Sequence, residues 1–283
     1  MREVPLFVAA CLAACHAVPP ADPAPIARPV EAVASKSSSR LLPDPEAVSL
    51  AKAALAAIEH RRRVVLANLA NVDVPGWKRG VAGLRGHVAF AGSDGMLSVP
   101  TVFEVVRDHA QGAVHPTGRS LDLAIDGDGF FAFMQRDGSI GYTRNGALNI
   151  NADGKLVTSE GRVLLPEITV PADLLELNIA PDGVVCGRTA GNPDCTTTFG
   201  QLTLSRFVNA PGLRAAHDGF ATTEAAGPPI TQAPGLQGAG TLRQGCLERS
   251  NVQLANELLG LQTIERRREA LAKALEPYGL LTP

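Results

Sequence analysis

The chain has 283 residues, of which 45 % are hydrophobic and 4 % aromatic, and its formal net charge is −2. This composition supplies enough apolar surface for a folded core and excludes a largely disordered chain. A net charge near zero argues against a nucleic-acid partner, and the few aromatic residues argue against a large aromatic-lined ligand pocket. No stretch after the N-terminal segment is apolar for long enough to predict a membrane-spanning helix, so membrane association would depend on the N-terminus.

The N-terminal segment 1–15 has the layout of a bacterial secretory signal: a basic residue, an apolar run, and small residues before a cysteine. Residues 12–15 match a lipoprotein cleavage box, which predicts lipid attachment to the Cys15 thiol and anchoring to a membrane. Two other interpretations stay open, namely a plain signal peptide cut near Ala17 and a misassigned start codon.

Residues 16–45 are rich in proline and contain no aromatic side chain, which predicts an extended tether. The segment 46–79 then changes to a three- and four-residue apolar spacing, which predicts a long helix followed by a junction. Arg62 interrupts the apolar seam of this helix, and the run Arg61–Arg63 indicates a solvated helix face. The seam residues assigned to assembly are Val48, Leu55, Ile58, Val65 and Leu69.

The C-terminal segment 236–283 mirrors this pattern, with a second helix predicted over residues 247–276. Glu265 interrupts its apolar seam, as Arg62 does in the first helix. Narrow seams of this kind are typical of coiled-coil partners. The assembly residues of the second helix are Leu254, Leu258, Leu261 and Leu275.

The central segment 80–235 favours β-structure, because apolar residues alternate with others at 121–125 and Gly-containing turns recur after it. A run of short antiparallel hairpins is expected at the turns Asp126-Gly127, Asp137-Gly138, Asn145-Gly146 and Asp153-Gly154. Further strands are predicted at 162–170, 175–180, 183–187 and 200–208, and an irregular excursion at 209–240. The predicted fold is therefore α+β, with two terminal helices forming a coiled-coil layer around a central all-β, hairpin-rich domain.

Three stretches carry a resemblance to a known family: residues 66–79, 122–158 and 235–270. In this order they closely resemble the bacterial flagellar rod and hook family, and the resemblance extends from about residue 48 to 275. It implies that the terminal helices pair into a coiled-coil inner layer and that the β-rich middle forms an outer domain. It also implies a helical homo-oligomer in the flagellar basal body, with other rod, hook and ring subunits as partners and torque transmission for motility as its role.

One feature departs from that family, since about 45 residues precede the first helix. Rod proteins typically begin this helix within a few residues of the start and leave through the flagellar export channel. An envelope-anchored lipoprotein that acts as a binding or scaffold module outside the rod is therefore kept as an alternative.

The junction after the first helix lies within the first of the resembling stretches. Its two asparagines are expected to satisfy backbone groups at the helix end, and its Pro-Gly pair to stop the helix and turn the chain. Trp77 is expected to pack, while Lys78 and Arg79 are expected to face water. The junction residues are Asn68, Asn71, Pro75 and Gly76.

The sequence contains no recognisable catalytic or metal-binding motif. Its histidines are scattered, no pair has the i, i+4 spacing of metal ligands, and no phosphate-binding loop or nucleophile elbow is present. Asp126 and Asp128 lack the third acidic partner and the downstream glutamate of a calcium loop. We therefore predict a structural protein with no catalytic residues, no cofactor and no metal.

The cysteines allow one disulfide hypothesis. Cys186 and Cys195 flank a turn-rich stretch, so in an oxidising compartment they are expected to form a clasp. The alternative is two free thiols. Cys246 is expected to act as a small buried hydrophobic residue.

Overall fold

The computed structural model describes residues 45–92, 95–216 and 218–276. The predicted secretory segment 1–15 with Cys15, and the tether except its last residue, lie outside the described residues. The side chains of Val48, Leu275 and Cys195 also lie outside them, so the predictions for these positions stay predictions.

Two long helices lie near the ends of the chain: α1, Pro45–Ala70, and α2, Leu254–Leu275. They pack against each other, although a coiled-coil geometry is not established by this contact. α1 begins where the sequence predicts it. α2 begins later than the predicted start at residue 247, because Cys246–Glu248 forms a strand instead. Neither helix has the apolar length needed to cross a bilayer, as judged over the described residues.

A long hairpin follows α1 and was not predicted from the sequence. Its strands are β1, Gly80–Gly92, and β2, Gly95–Arg107, which pair antiparallel from Gly80 opposite Arg107 to Gly92 opposite Gly95. Both strands contact α1, so the hairpin and the helices belong to one packed group.

The remaining strands form what we call the β body, residues Val114–Glu248. These strands are short and pair antiparallel in several small sheets. The largest sheet has five strands in the order β14-β15-β6-β5-β9. The strands are β3 Val114–Pro116, β4 Leu123–Asp126, β5 Phe131–Met134, β6 Ile140–Thr143, β7 Asn149–Ile150, β8 Leu156–Val157, β9 Leu164–Leu165, β10 Leu174–Ile179, β11 Val184–Thr189, β12 Asn192–Gln201, β13 Leu204–Arg206, β14 Arg214–Ala216, β15 Gly219–Ala221, β16 Ile230–Gln232, β17 Thr241–Gln244 and β18 Cys246–Glu248.

Two of the four predicted hairpin turns are confirmed. Asp137-Gly138 joins the paired strands β5 and β6, and Asp153-Gly154 joins β7 and β8. The hairpins predicted at Asp126-Gly127 and Asn145-Gly146 are wrong. β4 pairs instead with β17, and Gly127 lies so close to Gly240 that an added Cβ would be 2.9 Å from the Gly240 Cα atom.

The predicted irregular excursion at 209–240 is also corrected. It contributes the hairpin β14–β15, whose second strand pairs with β6, and it contributes β16, which pairs with β13. These strands contain few β-branched residues. β15 and β16 also pair with strands that are not their neighbours in the sequence.

The β body has two apolar cores. The larger is built on the inward residues of β4 and β5 together with later strands, and includes Leu123, Ile125 and Phe131, which are fully buried. The smaller contains Phe130, Tyr142, Leu213 and Phe220. Each fully buried side chain of this size stabilises the fold by about 1.5–3 kcal/mol.

Candidate functional site

Three segments that are distant in the sequence meet at the carboxylate of Glu248, at the end of β18. The Lys78 Nζ atom lies 2.7 Å from Glu248 Oε1, and the Arg144 Nη2 atom lies 2.6 Å from Oε2. All three side chains are buried. We call Lys78, Arg144 and Glu248 the ionic joint, because it connects the junction after α1 to the β body.

The remaining polar atoms of the ionic joint are satisfied by backbone groups. Lys78 Nζ also donates to the Ala110 carbonyl at 2.7 Å, and the Gly112 N–H donates to Glu248 Oε1 at 2.9 Å. The Arg144 Nη1 atom donates to the Gly127 and Gly129 carbonyls at 2.8 and 2.7 Å. Burial lowers the pKa of Lys78, while the charge of Glu248 acts in the opposite direction. A buried ion pair is stable only when its partners and hydrogen bonds are complete, as they are here.

The Pro75-Gly76 turn fits against this joint. Gly76 has a φ of +69°, and an added Cβ would lie 2.4 Å from the backbone of Arg144, so a side chain has no room there. The Gly76 N–H donates to the Glu248 carbonyl at 2.8 Å. α1 already ends at Ala70, ahead of the Pro75-Gly76 turn, so this turn does not stop the helix as predicted; it fixes the junction to β18.

Trp77 and Arg107 close one side of the joint. The Arg107 guanidinium lies 4.5 Å from the centre of the Trp77 ring, and its Nη1 atom donates to the Lys78 carbonyl at 2.9 Å. Burial lowers the pKa of Arg107. The end of β2 is thus attached to the junction by a cation–π contact and a hydrogen bond.

A second polar cluster, which we call the Asn68 cluster, joins the two helices to the hairpin. Asn68 Nδ2 donates to the Gly80 carbonyl at 2.8 Å, and the Gly80 N–H donates to Asn68 Oδ1 at 2.8 Å. Asn68 Nδ2 also donates to Glu257 Oε2 at 3.2 Å, and Arg79 Nε donates to Glu257 Oε1 at 2.5 Å. A buried glutamate of α2 is therefore bound by side chains of α1 and of the junction.

The helices expose apolar side chains on the outside of this arrangement. Leu254, Leu258 and Leu259 of α2 are 51 %, 49 % and 63 % exposed. Leu258 and Leu259, together with Leu261, line a shallow groove along the outer surface of α2. Exposed apolar side chains at this density are typical of a surface that another protein covers.

Comparisons with known proteins place this arrangement in a family. Residues 124–187 match the model of the flagellar hook protein FlgE/F/G D1 domain. The chain is 35 % identical over 242 residues to the flagellar basal-body rod protein FlgG of Buchnera aphidicola subsp. Acyrthosiphon pisum, covering 80 % of this chain and 93 % of that protein. The FlgG of Agrobacterium fabrum is 33 % identical over 81 % of this chain and 94 % of its own length. The chain belongs to the flagellar basal-body rod protein family.

A further relative extends the same comparison beyond FlgG. The flagellar basal-body rod protein FlgF of Escherichia coli is 33 % identical over 231 residues, which is 76 % of this chain and 87 % of that protein. The resemblance on which the sequence prediction relied is thereby confirmed.

Within this rod protein the junction differs from the prediction at Lys78 and at Asn68. Lys78 was expected to face water, but only 2 % of it is exposed, because Glu248 and the Ala110 carbonyl bind its ammonium group. Asn71 behaves as expected and donates to the Ala67 carbonyl at the helix end at 2.7 Å. Asn68 does not satisfy its own helix; it bonds instead to Gly80, across the junction.

The seams of the rod-protein helices are only partly as predicted. Val65 of α1 is buried, whereas Leu55, Ile58 and Leu69 are half-buried. Among the side chains of α2 that the structure describes, Glu257 and Ile264 are buried, so Leu254 and Leu258 do not belong to the buried stripe. The interrupting charges meet, because Arg62 Nε lies 2.6 Å from Glu265 Oε1. Hydrogen bonding from Arg62 lowers the pKa of Glu265.

The cysteines give a separate result. Cys186 and Cys246 form no disulfide with each other or with any described side chain, and the residue opposite Cys186 on β12 is Thr198. Because the side chain of Cys195 lies outside the described residues, the clasp stays a prediction. Cys246 is half-buried.

Sequence analysis missed the buried charges at the centre of the site, namely Arg144, Glu248 and Glu257. All three lie in the stretches that resemble the family, but charged side chains of this kind are mostly exposed in proteins, so the residue type alone gives no sign of burial. Only the pairing of β18 with β3 brings Glu248 to Lys78. Among the described residues, no group of three or more potential ligands is arranged to hold a metal ion.

Proposed function

We propose that this chain is a structural subunit of the bacterial flagellar basal-body rod and has no catalytic role. The relatives that align over most of their length are named basal-body rod proteins. This supports the rod subunit over an envelope-anchored scaffold module outside the rod. The subunit acts by being stiff and by binding further subunits, so it needs neither a cofactor nor a metal.

The observation that carries the proposal is the ionic joint. A subunit that transmits torque has to pass force from its helices to its outer domain without bending between them. Glu248 binds Lys78 of the junction and Arg144 of the β body in a buried, fully hydrogen-bonded arrangement. Removal of one partner from such a buried pair costs about 3–5 kcal/mol, whereas an exposed ion pair contributes about 0–1 kcal/mol. We expect the joint to hold the two parts of the subunit in one orientation.

The contacts between subunits are assigned to the terminal helices. The exposed leucines of α2 provide an apolar surface for a second copy, and the helices of neighbouring copies are proposed to pair as a coiled-coil layer. Other rod, hook and ring subunits are the proposed partners at the two ends of such a stack.

The N-terminal region is proposed to carry the chain across the inner membrane and to hold it in the periplasm. Segment 1–15 would act as the secretory signal, Cys15 would receive the lipid, and residues 16–45 would form the tether. In that oxidising compartment the clasp between Cys186 and Cys195 is also proposed.

The rod assignment is tested in a bacterium that carries this gene. Deletion of the gene is expected to abolish swimming and to leave basal bodies whose rods are incomplete in electron micrographs, and the intact gene is expected to restore both. Swimming with complete rods in the deletion strain, when no second rod gene compensates, would contradict the proposal. Immunogold labelling of isolated basal bodies would locate the protein directly.

A further inference from the structure

The segment between β2 and β3 contains a histidine in an unusual setting. His109 packs edge-on against Phe130 and Phe220 of the smaller core, with ring centres 5.5 and 5.0 Å apart. It lies where the hairpin ends and the β body begins, next to the ionic joint.

Both ring nitrogens of His109 are closed off from solvent, and neither has a hydrogen-bond partner among the described residues. A neutral imidazole can tolerate such a site at a cost, but a charged one requires acceptors for both N–H groups. Burial lowers the pKa of His109 to about 4, and the charge of Lys78 acts in the same direction.

The surroundings of His109 are mostly cationic. Three positive side chains face it: Lys78 from the junction, Arg144 from the turn after β6 and Arg107 from the end of β2. Asp108 is the one carboxylate that acts on it in the opposite direction, and the nearby Glu248 is already shared between two cations. The cavity beside His109 is also lined by Asp128 and Arg206. A proton on His109 would therefore add a further positive charge to a group of buried cations.

The chain around His109 supplies contacts to the ionic joint. The Ala110 carbonyl accepts hydrogen bonds from Lys78 Nζ at 2.7 Å and from Asn251 Nδ2 at 3.0 Å. The Gly112 N–H donates to Glu248 Oε1 at 2.9 Å. A movement of the flanking backbone that takes His109 out of its aromatic site would weaken these contacts together.

We propose that His109 is an acid-sensitive latch, whose protonation displaces residues 108–112 and loosens the ionic joint between the β body and the junction. The latch goes beyond the proposed function, because it concerns a single subunit whether or not that subunit builds a rod. Its test therefore uses the opening of the isolated full chain, not motility.

The direction of the effect follows from the two protonation states. An exposed histidine has a pKa of about 6.5, so the opened segment binds a proton at pH values where the closed segment does not. As the pH falls from about 6.5 toward about 4, the opening equilibrium constant is expected to rise by up to about tenfold per pH unit. Above that range the latch stays closed.

Hydrogen exchange measured by mass spectrometry tests the latch on the full chain, its variant His109→Phe and the control His115→Phe. His115 is exposed on β3, so its replacement removes one histidine without touching the site. After correction for intrinsic exchange rates, residues 108–112 of the wild type and of the control are expected to lose protection on acidification from about pH 6.5 to about pH 4.5, while His109→Phe keeps it. Equal loss in all three proteins, or no loss in the wild type, would overturn the proposal.

If His109→Phe does not fold, the wild type alone decides the question. Nuclear magnetic resonance of the histidine rings then gives the titration of His109 next to the exchange of residues 108–112. The proposal requires the His109 ring to stay neutral until the segment opens, with both changes at the same pH. A His109 ring that titrates at an ordinary pH in a segment that stays protected would refute it.

Discussion

Glu248 is a single buried carboxylate on which the stability of the junction depends. Both of its oxygen atoms are bound by cations from other segments, and its own carbonyl accepts the N–H of Gly76. Loss of the negative charge leaves Lys78 and Arg144 as unpaired buried cations, and no solvent is available to compensate them. The stability of the junction therefore depends on this residue more than on any one apolar contact near it.

The substitution Glu248→Gln is expected to lower the free energy of unfolding by about 3–5 kcal/mol, because the shape is kept and the charge is lost. Urea denaturation followed by fluorescence of Trp77 measures the change. The matched control is Glu176→Gln, whose partner Arg188 is exposed like Glu176 itself. The control substitution should lower the free energy of unfolding by less than about 1 kcal/mol. If both variants lost a similar free energy of unfolding, the ionic joint would not be a special source of stability.

A second residue-scale prediction concerns Gly146, which follows Asn145 after β6. An added Cβ there would lie 1.7 Å from the Leu123 carbonyl oxygen, so Gly146→Ala is expected to cost about 3 kcal/mol or more. Gly260, inside α2, has nothing within 4 Å of its added Cβ, and Gly260→Ala should stabilise the helix by about 1 kcal/mol. Thermal unfolding of the two variants should shift in opposite directions. A shift of the same sign in both would be incompatible with this packing.

At the scale of elements, α1 and α2 are attached through buried polar side chains, and α2 also has an exposed apolar face. The inner faces contain buried polar side chains, Asn68 and Glu257, that fix the helices to the hairpin. The outer face of α2 contains leucines that nothing in the described chain covers. The bound glutamate and the exposed leucines are thus on different sides of the same helix, and the leucine side is the one proposed to serve assembly.

The double substitution of Leu258 and Leu261 by Asp is expected to prevent polymerisation while the β body stays folded, because charges would face the apolar surface of a neighbouring copy. Sedimentation measures assembly, and circular dichroism measures the β signal. Thr263→Asp, an exposed change on the same helix outside the groove, is the control and should still assemble. Loss of the β signal in the double variant would instead show that these leucines stabilise the β body.

The sequence predicts those elements whose determinants are local. α1 follows from its apolar spacing, and the β5–β6 and β7–β8 hairpins follow from their Asp-Gly turns. The pairings β3–β18 and β4–β17 do not, because each joins strands from opposite ends of the β body. Lys78 illustrates the consequence for the site. It stands beside Arg79, and two adjacent basic residues suggest an exposed position, but Glu248 of the distant strand β18 binds it in the interior.

For the whole molecule, the described chain forms the helices, hairpin and β body, and the N-terminal region is proposed to determine where they act. A tether of about 30 residues can span up to about 90 Å at the rise of an extended proline-rich chain. That reach would let a lipid-anchored subunit join an assembly away from the membrane surface.

Cys15→Ser is expected to give an unlipidated chain that leaves the detergent phase for the aqueous phase, with an unchanged β body. Mass analysis of the native N-terminus measures lipid attachment directly, and phase partition measures anchoring. Cys246→Ser, which changes a half-buried cysteine elsewhere, should stay in the detergent phase. An unmodified Cys15 in an uncleaved chain would refute the lipoprotein proposal.

The pairing of early strands with late ones also determines when the subunit can become folded. β3 and β4 find their partners in β18 and β17, near the end of the chain, and Glu248 is made later still than most of the β body. Contacts between such distant residues are slow to form and cannot exist until synthesis is almost complete. A nascent chain therefore remains without its closing strands for most of its synthesis. For the export proposed above, a chain that still lacks these strand pairs can be threaded through a narrow channel.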